Sequence, residues 1–212
     1  MNPTFCSKAV CVARNWRAHI KELGNVEPEE PVFFIKPTTA ICPLSEPIVL
    51  PKWSGEVHHE IELALLVDTP LKDATLEQAA AAVSHVALAL DLTARDVQAR
   101  LKQAGLPWEK SKAFDGSLPL GRWIPVQEVG DLGELELKLL VNGAVAQCGK
   151  ISQMIHSPID LLVEASRYFT LSAGDILLTG TPAGVGPLAP GDQLELFLSG
   201  QWAETTEVYH GC

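Results

Sequence analysis

The chain has 212 residues, 47% hydrophobic and 20% charged, with a formal net charge of −10 at pH 7. That balance suits a globular protein with a sizeable core, and the acidity argues against a general affinity for nucleic acid or an anionic membrane. An anionic small molecule stays open, because a bound metal and a few local cations can reverse the field inside a site.

In chain order, Lys8 to Ala13 reads as a short strand around Ala9-Val10-Cys11-Val12. The polar stretch Arg14 to Leu23 suits a short helix, interrupted by Gly24 and the acidic, proline-bearing segment Glu27 to Pro31. Val32 to Ile35 reads as a strand, and the proline-punctuated region 37–51 as irregular chain with one edge strand at Ile48-Val49-Leu50. Val57 to Val67 reads as one long strand. Thr75 and Gln78 fit a capping box that opens a helix through about Leu88, and Asp91 ends that apolar run. Thr93 to Ala104 reads as a second helix, stopped by Gly105. Leu135 to Val141 and Ala144 to Cys148 flank Asn142-Gly143, a hairpin signal with a type I′ turn. Ser157 as N-cap and Pro158 at the first helical position open a helix to about Phe169. Strands return at Asp175 to Thr179, Gln193 to Leu198 and Thr205 to Tyr209.

Strands at both ends with helices between them suggest an α+β or mostly-β single domain. Cys6, Cys11, Cys42, Cys148 and Cys212 show no Cys-x-x-Cys spacing. With no signal peptide read at Met1-Asn2-Pro3, they are expected to be reduced thiols in a cytoplasmic protein. The longest apolar run, Ala79 to Leu90, is interrupted by Ser84 and His85 and is too short to cross a bilayer.

Chemistry concentrates at the entrance of the long strand. Side chains two apart in a strand share a face, so His58, Glu60 and Glu62 point one way and Ile61 the other. Two carboxylates ahead of the apolar run Leu63 to Val67 are expensive to bury unless neutralised, and a divalent cation neutralises them; an exposed, solvated strand entrance is the alternative. Oxygen ligands favour Mg²⁺, Mn²⁺ or Ca²⁺, whereas His58 as a ligand would shift the preference toward zinc or iron. Asp91, ending an apolar segment where a carboxylate has no packing reason to be, is the candidate third ligand. On a helix, Arg95 and Gln98 share a face that can offer a cation and an amide to a substrate carboxylate. His19 and Glu22, also three apart, have the make-up of a water-activating base. The rigid loop from Thr179 to Pro187 can turn backbone N–H groups toward an anion, but it is neither a P-loop nor a dinucleotide fingerprint.

Six blocks stand in register over nearly the whole chain: Cys11 to Trp16 with His19, Phe34 to Pro37, His58 to Ala64, Leu90 to Gln98, Lys112 to Asp115, and Gly174 to Gly186. Together they resemble the fumarylacetoacetate hydrolase family, in particular its short, acylpyruvase-like branch. The resemblance implies a mixed β-sandwich roll over residues 1–212 as one catalytic domain, usually dimeric, with a lid near 15–30. It implies Mg²⁺ or Mn²⁺ held by Glu60, Glu62 and Asp91, with His58 a neighbour rather than a ligand. Larger members have a fourth metal carboxylate that is not found here, so water is expected in that position. Arg95, Gln98 and Thr181 would surround a small 2-oxo mono- or dicarboxylate, His19 and Glu22 would activate water, and Lys112 would stabilise an enolate.

The expected reaction is hydrolysis of a carbon–carbon bond in acylpyruvates such as acetylpyruvate or fumarylpyruvate, giving pyruvate and a carboxylic acid. Oxaloacetate decarboxylation or tautomerisation, and isomerisation of 2-hydroxy-diene-dioates, pass through the same enolate and stay open. A metal-stabilised dicarboxylate-binding protein is the reading from a different class. No nucleic acid or membrane partner is expected, and a homodimer is.

Overall fold

Alternation of large and small apolar residues builds the central sheet of this protein, whose computed structural model describes residues 6–211. Met1 to Pro3 and Cys212 lie outside the described residues. In chain order, β1 (Lys8–Ala13) and α1 (Arg17–Glu22) lead to β2 (Val32–Pro37), β3 (Ile41–Pro43) and β4 (Ile48–Leu50). β5 (Val57–His59) and β6 (Ile61–Val67) precede α2 (Leu76–Ala82), β7 (Val83–Leu90), β8 (Thr93–Ala94), α3 (Arg95–Gln103) and α4 (Glu109–Lys112). Then come β9 (Leu118–Leu120), β10 (Ile124–Pro125), α5 (Val126–Val129), β11 (Glu136–Val141) and β12 (Ala144–Lys150). The chain closes with α6 (Pro158–Tyr168), β13 (Ile176–Leu178), β14 (Gly186–Pro187), β15 (Gln193–Leu198) and β16 (Trp202–His210).

The strands form a mixed, mostly-β architecture, as expected. A large sheet runs β2-β1-β13-β6-β7-β9-β3, with β10 also paired to β7; a second runs β12-β11-β15-β16-β4; a small one joins β14-β5-β8. In β1, β6 and β7 the large residues Val10, Val12, Leu63, Leu65, Val86 and Leu88 share a core with Leu137 and Leu139 of β11 and Leu194 and Leu196 of β15. Each such side chain contributes roughly 1.5–3 kcal/mol on full burial. The small residues Ala9, Cys11, Ala64, Ala87 and Ala89 face the other way. The register Glu62↔Ala89 puts Glu62 on that small-residue face, where there is room for polar side chains.

Local signals act as expected at several element ends. Thr75 and Gln78 exchange both capping-box hydrogen bonds, Ser157 caps α6 with Pro158 in its first turn, and Asn142 and Gly143 take positive φ in the β11–β12 turn. Cys6, Cys11, Cys42 and Cys148 are free, and Cys6 and Cys11 pack as small buried residues. Among the described residues no helix is long and apolar enough to cross a membrane.

Several expectations need correction. The region 37–51, expected to be irregular with one edge strand, also holds β3, which pairs with β9. The helix expected through Leu88 ends at Ala82, and Val83 passes directly into β7. β7 is covered on both faces over Val86 to Leu90, and a strand of that kind reads as an unbroken apolar run that mimics a buried helix. The helix expected from Thr93 starts at Arg95, because Thr93 and Ala94 pair with His58 and Val57 instead.

The start of β1 is tied to the start of β13 by Asp175. Its carboxylate accepts hydrogen bonds from Ser7 Oγ (2.7 Å), Ser172 N (2.8 Å) and Lys8 Nζ (2.5 Å). Burial raises its pKa, but the bonds from Lys8, Ser172 and Ser7 outweigh that and hold it below the usual carboxylate value. A depressed pKa stabilises the fold above the unfolded value and is lost as pH falls through the folded one. Asp175→Asn should therefore cost about 1–3 kcal/mol at pH 7, with the gap from wild type narrowing toward pH 3, as read by urea unfolding.

Candidate active site

The long strand expected from Val57 to Val67 breaks at Glu60. β5 belongs to the small sheet and β6 to the large one, and the break brings Glu60 and Glu62 together with Asp91. The Asp91 N–H donates to the Glu60 carbonyl at 2.8 Å across the strand ends. All three carboxylates are buried, each offering one oxygen within 4.8 Å of the others. His58 is turned away from them: its Nε2 meets Glu56 Oε1 at 2.5 Å and its Nδ1 accepts from Arg95 Nε at 3.4 Å.

Three cations answer the three carboxylates. Lys112 Nζ, at the end of α4, bridges Glu60 Oε2 (2.8 Å) and Asp91 Oδ2 (2.6 Å). Arg95 Nη2 binds Glu60 Oε1 at 2.6 Å while Nη1 donates to Gln98 Oε1 at 2.8 Å. The expected Arg95/Gln98 face exists, but Arg95 directs much of its fork at Glu60 and Gln98.

Lys36 was not singled out from the sequence, yet it is wholly buried. Its Nζ is surrounded by four acceptors, Leu92 O, Lys112 O, Ser117 O and Ser117 Oγ, that share its three N–H donors, and it lies 2.9 Å from Asp91 Oδ1. The approach is off the direction of a hydrogen bond, so Asp91 Oδ1 remains a buried oxygen with no donor. The signal for Lys36 was its place in a strand opposite Ala9, where a lysine has no apolar reason to stand.

The electrostatics divide the carboxylates. Burial raises the Glu60 pKa, but Lys112 and Arg95 outweigh it and bring it down to about 2. For Glu62, burial first and then the charges of Asp91 and Glu60 push the carboxyl well above its usual value, against Lys112 and a 2.6 Å hydrogen bond from Gly180 N. Burial opposes the Lys112 charge, yet Asp91 and Glu60 hold that ammonium above its usual pKa.

α1 carries His19 and Glu22 over this cluster. His19 Nδ1 lies 3.1 Å from Glu22 Oε2, and Glu22 Oε1 accepts from Gly184 N at 2.9 Å. Gly184 has φ +96°, and a Cβ there would overlap the Ala146 carbonyl, so the loop requires glycine at this point. The segment before α1 is pinned. Asn15 Nδ2 donates to His156 O and Thr179 O, and Trp16 Nε1 donates to Gly180 O.

A cavity of about 50 Å³, room for a few waters, is lined by His19, Glu60, Glu62, Asp91, Lys112 and Thr181 among others. Arg95 and Gln98 also line it, with Arg14 and Lys102 beside them. The structure thus brings eight of the nine expected site residues onto one cavity, with Glu22 just behind His19.

A family model described as the fumarylacetoacetate (FAA) hydrolase C-terminal domain matches residues 8–208. The chain belongs to the fumarylacetoacetate hydrolase family. It is 51% identical over 203 residues to the oxaloacetate tautomerase YcgM of Escherichia coli strain K12, covering 95% of this chain and 92% of that one. It is 40% identical over 199 residues to the mitochondrial oxaloacetate tautomerase FAHD1 of Homo sapiens, covering 94% and 90%. The crystal structure of a fumarylpyruvate hydrolase from Pseudomonas aeruginosa in complex with Mn²⁺ and pyruvate superposes with a TM-score of 0.92 at 36% identity, covering 97% and 91%.

The residues present fit a hard divalent cation. The donor set is oxygen only, its atoms are already gathered, and Asp91 Oδ1 is a buried acceptor without a donor. The pairing also predicts opposite effects of neutralising mutations in metal-free protein. Asp91→Asn or Lys112→Met should destabilise by about 3–5 kcal/mol, because each strands a buried charge. Glu62→Gln should be neutral or stabilising near pH 7, since a raised folded pKa makes the wild-type carboxyl costly once pH rises above its unfolded value. Urea titrations with chelator present would check both.

Proposed function

We propose that this protein is a divalent-metal-dependent enzyme that interconverts the keto and enol forms of oxaloacetate. One observation carries the reading: the three-carboxylate cluster, His19 with Glu22 behind it, and the Lys112 ammonium meet at one cavity. The relatives named oxaloacetate tautomerase support the choice among enolate reactions.

Charge supports a dianion as substrate. Glu60, Glu62 and Asp91 are matched by Lys36, Lys112 and Arg95, so a bound divalent cation leaves an excess of two positive charges. Arg14 and Lys102 at the mouth add to the attraction. A Mg²⁺ or Mn²⁺ ion held by Glu60, Glu62 and Asp91 would supply Lewis-acid polarisation of the 2-oxo group.

The protein groups account for the rest of the chemistry. Glu22 holds His19 through Nδ1 and leaves Nε2 for the substrate. His19 takes a proton from C3, and the C–H electron pair becomes the C2–C3 double bond as the carbonyl pair moves onto the 2-oxo oxygen. The proton then returns to that oxygen, giving the enol with atoms and charge balanced. Lys112, kept charged by Glu60 and Asp91, stabilises the developing oxyanion, and Thr181 and Gln98 hold a carboxylate. The segment near 15–30, moving beyond the pinned Asn15 and Trp16, serves as a lid that carries His19.

Acylpyruvate hydrolysis is the second reading. The His19–Glu22 pair can equally deprotonate water, and a fumarylpyruvate hydrolase shares the fold.

NMR on oxaloacetate should show metal-dependent acceleration of keto–enol exchange that chelator abolishes. His19→Ala should slow it by about 10²–10⁴-fold. Release of pyruvate and a carboxylic acid from acetylpyruvate or fumarylpyruvate, with no effect on oxaloacetate, would move the assignment to the hydrolase. Saturating Mg²⁺ or Mn²⁺ at about 100 times its Kd should add about 2.7 kcal/mol, a rise of roughly 5–10 °C in Tm for a chain of this size. Asp91→Asn should lack that rise.

A further inference from the structure

Gln147 lies on β12, in a sheet that supplies none of the cavity-lining residues, and it is 1% exposed. Its amide makes four hydrogen bonds. Oε1 lies 3.0 Å from Ile61 N and 2.9 Å from His59 Nδ1, and Nε2 lies 2.8 Å from Pro182 O and 2.8 Å from Thr181 Oγ1. A backbone N–H can only donate and a proline carbonyl can only accept. Ile61 and Pro182 therefore settle which end of the amide is which, with no reference to the two side chains.

Two protonation geometries follow. His59 Nδ1 faces an oxygen, so it carries the ring hydrogen. Thr181 Oγ1 faces an N–H, so it accepts. The Thr181 hydroxyl hydrogen is then free to donate elsewhere, and among the described residues it has no protein acceptor. Thr181 is buried and lines the same cavity as Glu62, Asp91 and Lys112. A hydroxyl that must accept from behind presents a donor in front, and a carboxylate is purely an acceptor.

We propose that Gln147 is a positioning residue that fixes the polarity of the Thr181 hydroxyl, keeping its hydrogen free to donate toward the carboxylate of the substrate. This rests on the reading of the cavity as a 2-oxo acid site. The same amide braces the strand break, since Ile61 is the first residue of β6 and His59 the last of β5. One side chain thereby couples the position of the metal-site strand to the orientation of a substrate-facing hydroxyl. A site arranged this way aims a hydroxyl donor at a carboxylate, the stronger acceptor.

The test uses oxalate as the probe, with Mg²⁺ present, in calorimetric titrations of the full chain. Thr181→Val, which removes the donor, and Gln147→Glu, which turns Thr181 back to donate to the new carboxylate, should each weaken oxalate binding by roughly 10- to 100-fold. In turnover they should raise KM more than they lower kcat. Thr181→Ser, which restores a hydroxyl, should recover most of the loss. The Thr181→Val/Gln147→Glu double variant should bind no worse than the weaker single variant.

In wild-type protein, ¹⁵N NMR of neutral His59 should find the proton on Nδ1, a readout that needs no variant and no activity. The proposal falls if the two losses multiply, if Thr181→Val binds oxalate like wild type, or if neutral His59 carries its proton on Nε2. Should Gln147→Glu fail to fold, the Thr181 pair and the His59 tautomer still decide. A wild-type protein that binds oxalate but leaves oxaloacetate unchanged sinks the functional reading alone; additive losses with oxaloacetate turnover intact sink this one alone.

Discussion

The cluster of three buried carboxylates is the constraint around which the rest of the structure is arranged. Unit charges about 4 Å apart interact by about 4 kcal/mol at an effective dielectric of 20, so such a cluster is untenable without counter-charge. Lys112 and Arg95 reach it from the helical segments after β8, and Lys36 reaches it from β2. Each cation is itself held by backbone carbonyls, amides or carboxylates. Strands β1, β6 and β7 make room by placing alanine and cysteine, rather than leucine, on the face that the cluster occupies. Glu62 is the least compensated member, with burial and the charges of Asp91 and Glu60 set against its ionised form.

Much of this was legible in the residues themselves. Caps and the Asn-Gly turn are decided by a few adjacent atoms, so they read correctly without knowledge of the fold. Glu60, Glu62 and Asp91 stood out because carboxylates next to apolar runs need an explanation. β7 did not read correctly, because a strand buried on both faces loses the period-two pattern that identifies strands. The break at Glu60 was also invisible: it depends on a partner for Ile61 that comes from Gln147, far along the chain. Lys36 was missed for a related reason, since a lone lysine means little until its burial is known.

The family likeness and the geometry bear on different questions. Oxaloacetate tautomerases and a fumarylpyruvate hydrolase share this scaffold, and an enolate is common to both kinds of chemistry. On the proposed reading, a base that takes a proton from carbon and one that takes it from water differ mainly in whether water is admitted beside the substrate. With α1 over the site, the cavity is narrow. Contacts that hold α1 down, such as Glu22 on the Gly184 amide, therefore bear on reaction choice as well as on access.

The parallel pairing of β1 with β13 matters for how the molecule comes into being. Ala9 pairs with Ile176 and Cys11 with Leu178, so β1 has no neighbour on that side until β13, far along the chain, has been made. The β11–β12 hairpin, joined by two residues, can close in microseconds, whereas the β1–β13 contact is among the most non-local in the molecule and is expected to form late. Gly180 N, the donor to Glu62, arrives with that same late segment. The hydrogen bond to Glu62 is thereby tied to the arrival of that segment, and until then the apolar stretch of β1 is a surface for chaperones to shield.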